Sequence, residues 1–365
     1  MVGWLALIAC AEDPLPTSPS VEPVPSAPLP EGGPCEPSDL VFSDPVELGG
    51  SVGDTFLAAT GDGFVVTTLT DGLQILATIL TSRGEVVQTV DVSDVVPDPS
   101  RAAWLVRRPD DFLVVWSTEF ELGWRSLAHD GALGEPVSLS VLPSTTPVSG
   151  EWFGGGLELV LAKPSEPDRL TRYAPDGTVL AGPIDLPFSN RLGGVLSHDP
   201  AAGELVHLHT IQAGEREQMW RVPVDPEVGP GDREVLYEAA TLHAGSVLQR
   251  PQGTLLAFDD AGLGAVLLTV TDGSIRSTLA NPMRSHPALA ESDGCVALAH
   301  QASEGGLALT LFDGALGPVT QTRLIDPGVE LWGAHQLAYA PGRLAFAWSE
   351  RGEDGIALWV QTAAL

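Results

Sequence analysis

Seven apolar segments recur along this chain at nearly constant spacing, each opening at or just after a Gly or Asp. They are anchored at Gly63, Asp111, Gly156, Gly203, Gly253, Gly294 and Gly342, at intervals of 48, 45, 47, 50, 41 and 48 residues with a mean of 46.5. A period of this size marks one supersecondary unit used repeatedly, because a single unit cannot bury its own apolar face. The segments are short, as in Phe112-Leu113-Val114-Val115-Trp116 and Leu344-Ala345-Phe346-Ala347-Trp348, which suits strands. A later turn signal accompanies six of them: Arg83-Gly84, Asp130-Gly131, Asp176-Gly177, Gly231-Asp232, Asp272-Gly273 and Asp313-Gly314. Asp-Gly between apolar runs favours a tight hairpin, since its backbone must reach positive φ. Gly and Pro together make 71 of the 365 residues, which breaks up long helices. Four short strands per unit, and no helix, are predicted.

Seven four-stranded units of about 47 residues resemble a β-propeller more than a sandwich, whose strands would not regroup at this period. The last unit ends after its third strand, Gly355-Ile356-Ala357-Leu358-Trp359-Val360. A candidate for the missing strand precedes the first unit. Asp44-Pro45-Val46-Glu47-Leu48 is similar to the fourth-strand segments Glu135-Pro136-Val137-Ser138-Leu139 and Gly182-Pro183-Ile184-Asp185-Leu186. Pairing of that N-terminal strand with the last unit would close the ring and remove exposed sheet edges. The expected fold is thus all-β, a seven-bladed β-propeller over residues 39–365, closed by an N-terminal strand in the last blade. The resemblance is to an architecture and reaches no sequence family.

Net charge is −30, with 48 Asp and Glu against 18 Lys and Arg. No basic patch offers the counterion release that drives nucleic-acid binding, so nucleic acid is excluded as a partner. Before the repeats, Val2 to Ala9 is an apolar run too short to span a bilayer, followed by Cys10. Leu7-Ile8-Ala9-Cys10 resembles the bacterial lipobox, which implies cleavage before Cys10 and lipidation of its thiol, although no positive residue precedes the run. Residues 11–38 are rich in Pro, Ser and Glu with almost no bulky side chain, and read as a disordered tether. Its 28 residues would reach roughly 80 Å when extended. An exported monomer is expected, held by a lipid anchor at the outer membrane or cell surface, or in the periplasm. Exported compartments permit disulfides, and Cys35 and Cys295 are the candidate pair, the alternative being two free thiols.

Residues placed just before each first strand would ring one mouth of the central channel: Asp54, Arg101, Glu151, Arg191, His243, His286 and His335. Trp332, in the same kind of loop, is the tryptophan expected to be exposed, the others being read as core. This mouth is the expected ligand site. Three histidines from consecutive blades match the ligand type of a zinc shell, but varied loop lengths speak against convergence, so no metal and no cofactor is assigned. His207-Leu208-His209 puts two imidazoles on one strand face and reads as a partly exposed face. Acidic pairs such as Asp259 and Asp260 read as solvated loops without the spacing of a calcium site. Gly49-Gly50-Ser51-Val52-Gly53 has the Gly-x-Ser-x-Gly pattern, but no helix follows, so it reads as a link and no catalytic residue is assigned. Two functions fit these features. One is a binding or scaffold module recognising a protein, peptide or glycan at the cell envelope, which is the reading chosen. The other is a hydrolase or lyase acting on an extracellular polymer at the channel mouth.

Overall fold

The computed structural model describes residues 40–365 apart from 52–54, 71–72, 94–100, 119, 142–144, 164–165, 187–193, 201, 251, 271–272, 280–286, 293–294, 303–305, 326–328, 330, 353–354 and 365. The lipobox with Cys10, and the tether with Cys35, lie outside them. Among the described residues every regular element is a β-strand. They form seven antiparallel sheets, spanning 55–91, 101–140, 146–185, 195–239, 242–279, 288–325 and, in the seventh, 331–364 together with 41–50. These are the seven blades of a β-propeller.

First strands of neighbouring blades lie against one another from blade one to blade four, and from blade five through seven back to blade one. They are therefore the innermost strands. Because each blade is a meander, the second-to-third loops and the links between blades lie on the face where inner strands begin, called the upper face below. First-to-second and third-to-fourth turns lie on the lower face.

The apolar runs are the second strands, and they are buried on both sides. Phe64 and Val66 belong to a cluster shared with blade seven, whereas Val65 belongs to one shared with blade two. Side chains alternate across a strand, so a strand covered on both faces is apolar along most of its length. Each of the seven seams between blades carries its own apolar cluster of this kind.

Turn chemistry follows the aspartates. The Oδ1 atoms of Asp130, Asp176 and Asp313 each accept the backbone N–H two residues on, at 3.0 Å. Gly131 and Gly177 then take φ of 86° and 91°, which a side chain would strain. Blade four departs from the pattern. Its third strand turns at Pro226–Val228, and the predicted Gly231-Asp232 turn lies between two outer pieces, Gly229–Pro230 and Glu234–Ala239, both paired to Arg216–Asp225.

Closure is made by Val41–Phe42 and Val46–Gly50, both antiparallel to the third strand of blade seven, Gly355–Ala364. Ser43 N–H donates to Thr362 O at 2.8 Å, Gln361 Nε2 donates to Ser43 O at 2.9 Å, and Ser51 N–H donates to Ile356 O at 3.0 Å. Deleting residues 41–50 leaves that strand as a bare edge. The expected result is a fall in Tm of about 10 °C with concentration-dependent association, read by calorimetry and light scattering. An unchanged Tm would show that the ring does not need this segment.

Candidate functional site

The expected mouth residues divide. Asp54, Arg191 and His286 lie outside the described residues. Arg101 opens the inner strand of blade two, Arg101–Arg107, and His243 is the second residue of that of blade five, Leu242–Leu248, so both backbones sit at the upper face. Their side chains are not described. Glu151 and His335 are not in mouth loops, because the inner strands of blades three and seven begin earlier, at Thr146 and Leu331. His335 is buried, its Nε2 lies 3.1 Å from Ala299 O, and its ring packs 5.9 Å from Phe346. It belongs to the seam between blades six and seven and leaves the expected histidine set. Trp332 lies inside strand Leu331–Ala340, paired with Ser349, and not in a loop.

Two other readings are also corrected. His207 and His209 are buried, not partly exposed, with rings stacked 4.9 Å apart. Asp259 and Asp260 end the second strand of blade five and are buried, Asp260 accepting the Tyr237 hydroxyl at 2.6 Å. Leu73, Phe120 and Leu263 are large apolar residues that went unremarked in the sequence, and they are exposed by 40%, 55% and 49%. All three sit in second-to-third-strand loops, of blades one, two and five, and so on the upper face. Ser51 is buried and accepts the Thr68 hydroxyl at 2.9 Å beside the closing strand, in keeping with a link.

Glu151 lies toward the lower end of the channel. Gln249, just past the inner strand of blade five, donates from Nε2 to Glu151 Oε2 at 3.0 Å and to Ser197 Oγ at 3.3 Å. Side chains from blades three, four and five therefore meet there. Burial pushes the Glu151 carboxyl up to about 7, against the smaller opposing effects of the Gln249 and Trp152 hydrogen bonds. Next to Gln249, the buried Arg250 guanidinium pairs with Glu291 of blade six at 2.9 Å. Serine hydroxyls join the same inner strands: Ser149 Oγ accepts from Leu196 N–H and Ser246 Oγ from Leu289 N–H, both at 2.8 Å.

Glu151 also begins a row across blade three. It pairs with Glu158, which pairs with Arg172, so all three face blade four. Glu158 is wholly buried, with Arg172 Nε 3.2 Å away. Burial again dominates, and the carboxyl rises to about 7 despite the adjacent guanidinium. His207 and His209 face the same seam from blade four. Burial holds His207 down to about 3, helped by His209, and His209 down to about 4, helped by Arg233. Both imidazoles are neutral at pH 7. A cleft of about 550 Å³ opens below this seam on the lower face, between Phe153, Arg172, Glu204 and Val228. Glu151, His207 and His209 were noted in the sequence for other reasons, whereas Glu158, the polar break in Leu157-Glu158-Leu159-Val160, was not. Nothing local marks Gln249 or Ser197.

Among the described residues no three His, Cys, Asp or Glu side chains are grouped to hold a metal ion. Cys295, at the start of the second strand of blade six, is disulfide-bonded.

Neither a family model nor a curated protein matches the chain. Solved structures do. A puromycin-hydrolyzing peptidase of Mycobacterium tuberculosis superimposes with a TM-score of 0.56 at 17% identity, over 84% of this chain and 51% of the peptidase. The Cps50 (Swd1) β-propeller domain of Myceliophteria thermophila gives 0.50 at 11% identity, over 88% of this chain and 99% of that domain. BamB of Moraxella catarrhalis gives 0.45 at 10% identity, over 88% and 99%. The first two likenesses show the propeller fold. This chain spans about half the length of the peptidase.

A buried carboxyl raised above its unfolded value of 4.5 keeps its proton in the folded state. Its stabilising contribution is complete below pH 4.5 and is lost as pH rises to about 7. Glu158→Gln removes that titration while keeping the shape. Measured by thermal melts, the native Tm should fall by about 3 °C relative to E158Q between pH 5 and pH 8. Parallel profiles would show that Glu158 ionises freely in the fold.

Proposed function

We propose that this protein is an exported, lipid-tethered β-propeller serving as a binding or scaffold module at the cell envelope, and that it engages a protein partner with its upper face. The observation that carries this reading is the placement of Leu73, Phe120 and Leu263 at equivalent loops of three blades, all exposed on one face. Surface apolar groups gathered on one face around a polar rim are the usual material of a protein contact. Arg101 and His243, whose backbones lie at this face, are assigned to that rim together with Asp54, Arg191 and His286, all from the sequence. A ring of seven seams holds these loops at fixed spacing, so binding needs no reordering of the scaffold.

The tether reading rests on Leu7-Ile8-Ala9-Cys10 followed by the Pro-rich residues 11–38. Export, lipidation at Cys10 and an outer-membrane or cell-surface address belong to this proposal, with the periplasm as the alternative address. The second reading, a hydrolase or lyase acting on an extracellular polymer, draws on a different place. Glu151, with a carboxyl at about 7 beside Gln249 and Ser197, is suited to proton transfer at neutral pH.

Two measurements check the proposal. A photoreactive residue at Phe120 should give a discrete protein adduct in cells, whereas the same probe at Val228, on the lower face, should not. Equal adducts at both positions, or none at Phe120, would remove the assigned face. Labelled fatty acid fed to expressing cells should enter the native chain and be absent from Cys10→Ala, which should also leave the membrane fraction. Equal labelling of the two would overturn the lipid anchor.

A further inference from the structure

We propose that an apolar pocket on the flank of blades two and three, beside Phe120, receives an apolar side chain that has a carboxylate next to it, and that a partner protein supplies that side chain as its anchor. The second half of this statement rests on the upper-face reading above. The first half stands without it.

The pocket follows from a mismatch between neighbouring outer strands. That of blade two, Val137–Ser140, has four residues, whereas that of blade three, Val179–Asp185, has seven. The outer part of their seam is therefore left uncovered. A cavity of about 240 Å³ opens there, between Val141 of blade two and Leu161, Tyr173 and Val179 of blade three. Alternation along the strands turns these side chains toward one another. Val141 and Leu161 pack against the apolar cluster between the two blades, and Tyr173 belongs to that cluster.

The apolar surface continues past the pocket at both ends. Val141 N–H donates to Phe120 O at 2.9 Å, which puts the exposed Phe120 at the upper end. Val179, which begins the outer strand of blade three, is 54% exposed at the lower end. A concave apolar site within an exposed apolar strip is the arrangement that takes an anchor side chain.

The mouth of the pocket is cationic in a chain that is not. Lys163, the single lysine of the sequence, and Arg169 both line it, against one lining carboxylate, Glu166. Glu166 is shared: it pairs with Lys163 and lies 3.7 Å from Arg169 Nη2. Arg169 Nε also reaches Asp185 Oδ1 at 3.0 Å. Both cations are partly exposed, and each has more N–H donors than these contacts use. With a net charge of −30, most of the surface repels a carboxylate, so this mouth fixes where one can land.

The probe is 3-phenylpropionate, an aromatic ring carrying one carboxylate, titrated into the full chain and followed by calorimetry. Saturable binding with a dissociation constant of about 1 mM is expected for a ligand of this size. The uncharged 3-phenylpropionamide should bind about threefold more weakly, the effect of one exposed charge pair. Lys163→Met should remove that preference. Val179→Trp, which fills the pocket from an exposed position, should remove binding, and should it fail to fold, K163M carries the test through the lost preference. No saturable binding, equal binding of acid and amide by the native chain, or undiminished binding by V179W overturns the pocket.

For the partner, V179W should abolish the adduct formed by a photoreactive residue at Phe120. An adduct that forms in the native chain and survives V179W sinks the anchor and leaves the upper-face reading standing. If the native chain gives no adduct while 3-phenylpropionate binds as expected, the upper-face reading falls and the pocket stands.

Discussion

The ring depends on one long-range pairing, that of residues 41–50 with the last strand. Ser43 and Gln361, 318 residues apart, are hydrogen-bonded across it. Without this pairing blade seven would have an unpaired edge, and the seam from blade seven to blade one would lose Leu48, which packs on its cluster. Bringing such distant segments together costs only logarithmically more than closing a shorter loop. What makes closure worthwhile is that the second strands are buried on both sides and each needs a neighbour on either side.

That double burial is also why the fold was legible. A strand covered on both faces reads as an unbroken apolar run, and seven such runs at near-even spacing leave few architectures to choose from. Asp130, Asp176 and Asp313 were legible for a local reason: each receives a backbone N–H two residues on, so the signal and the interaction occupy the same four residues. The closing strand was found by its likeness to other fourth strands, a comparison internal to the chain.

The candidate site was much less legible. Glu151 and His335 were placed at the channel mouth on the assumption that inner strands start at equivalent points, yet those of blades three and seven start several residues earlier. Register shifts interrupt the inner strands of blades two, three, five and seven, so position in the repeat does not convert directly into height in the channel. Gln249 meets Glu151 across 98 residues, and no pattern in the sequence joins them. His207 and His209 misled in the opposite sense. Polar residues at period two suggest a wet face, but here they are enclosed by the neighbouring blade.

The seams are not alike. Those between blades six and seven and between seven and one are built on alanine, leucine and aromatic side chains, whereas the seam between blades three and four encloses Glu158, Arg172, His207 and His209. A closed circle of sheets comes apart at whichever joint holds least, and once one joint parts the remainder is an open stack with two ends. The joint between blades three and four contains a carboxyl that burial raises to about 7. Raising the pH through that value charges a buried group in the joint, so the strength of this joint, unlike that of the two apolar ones, depends on pH.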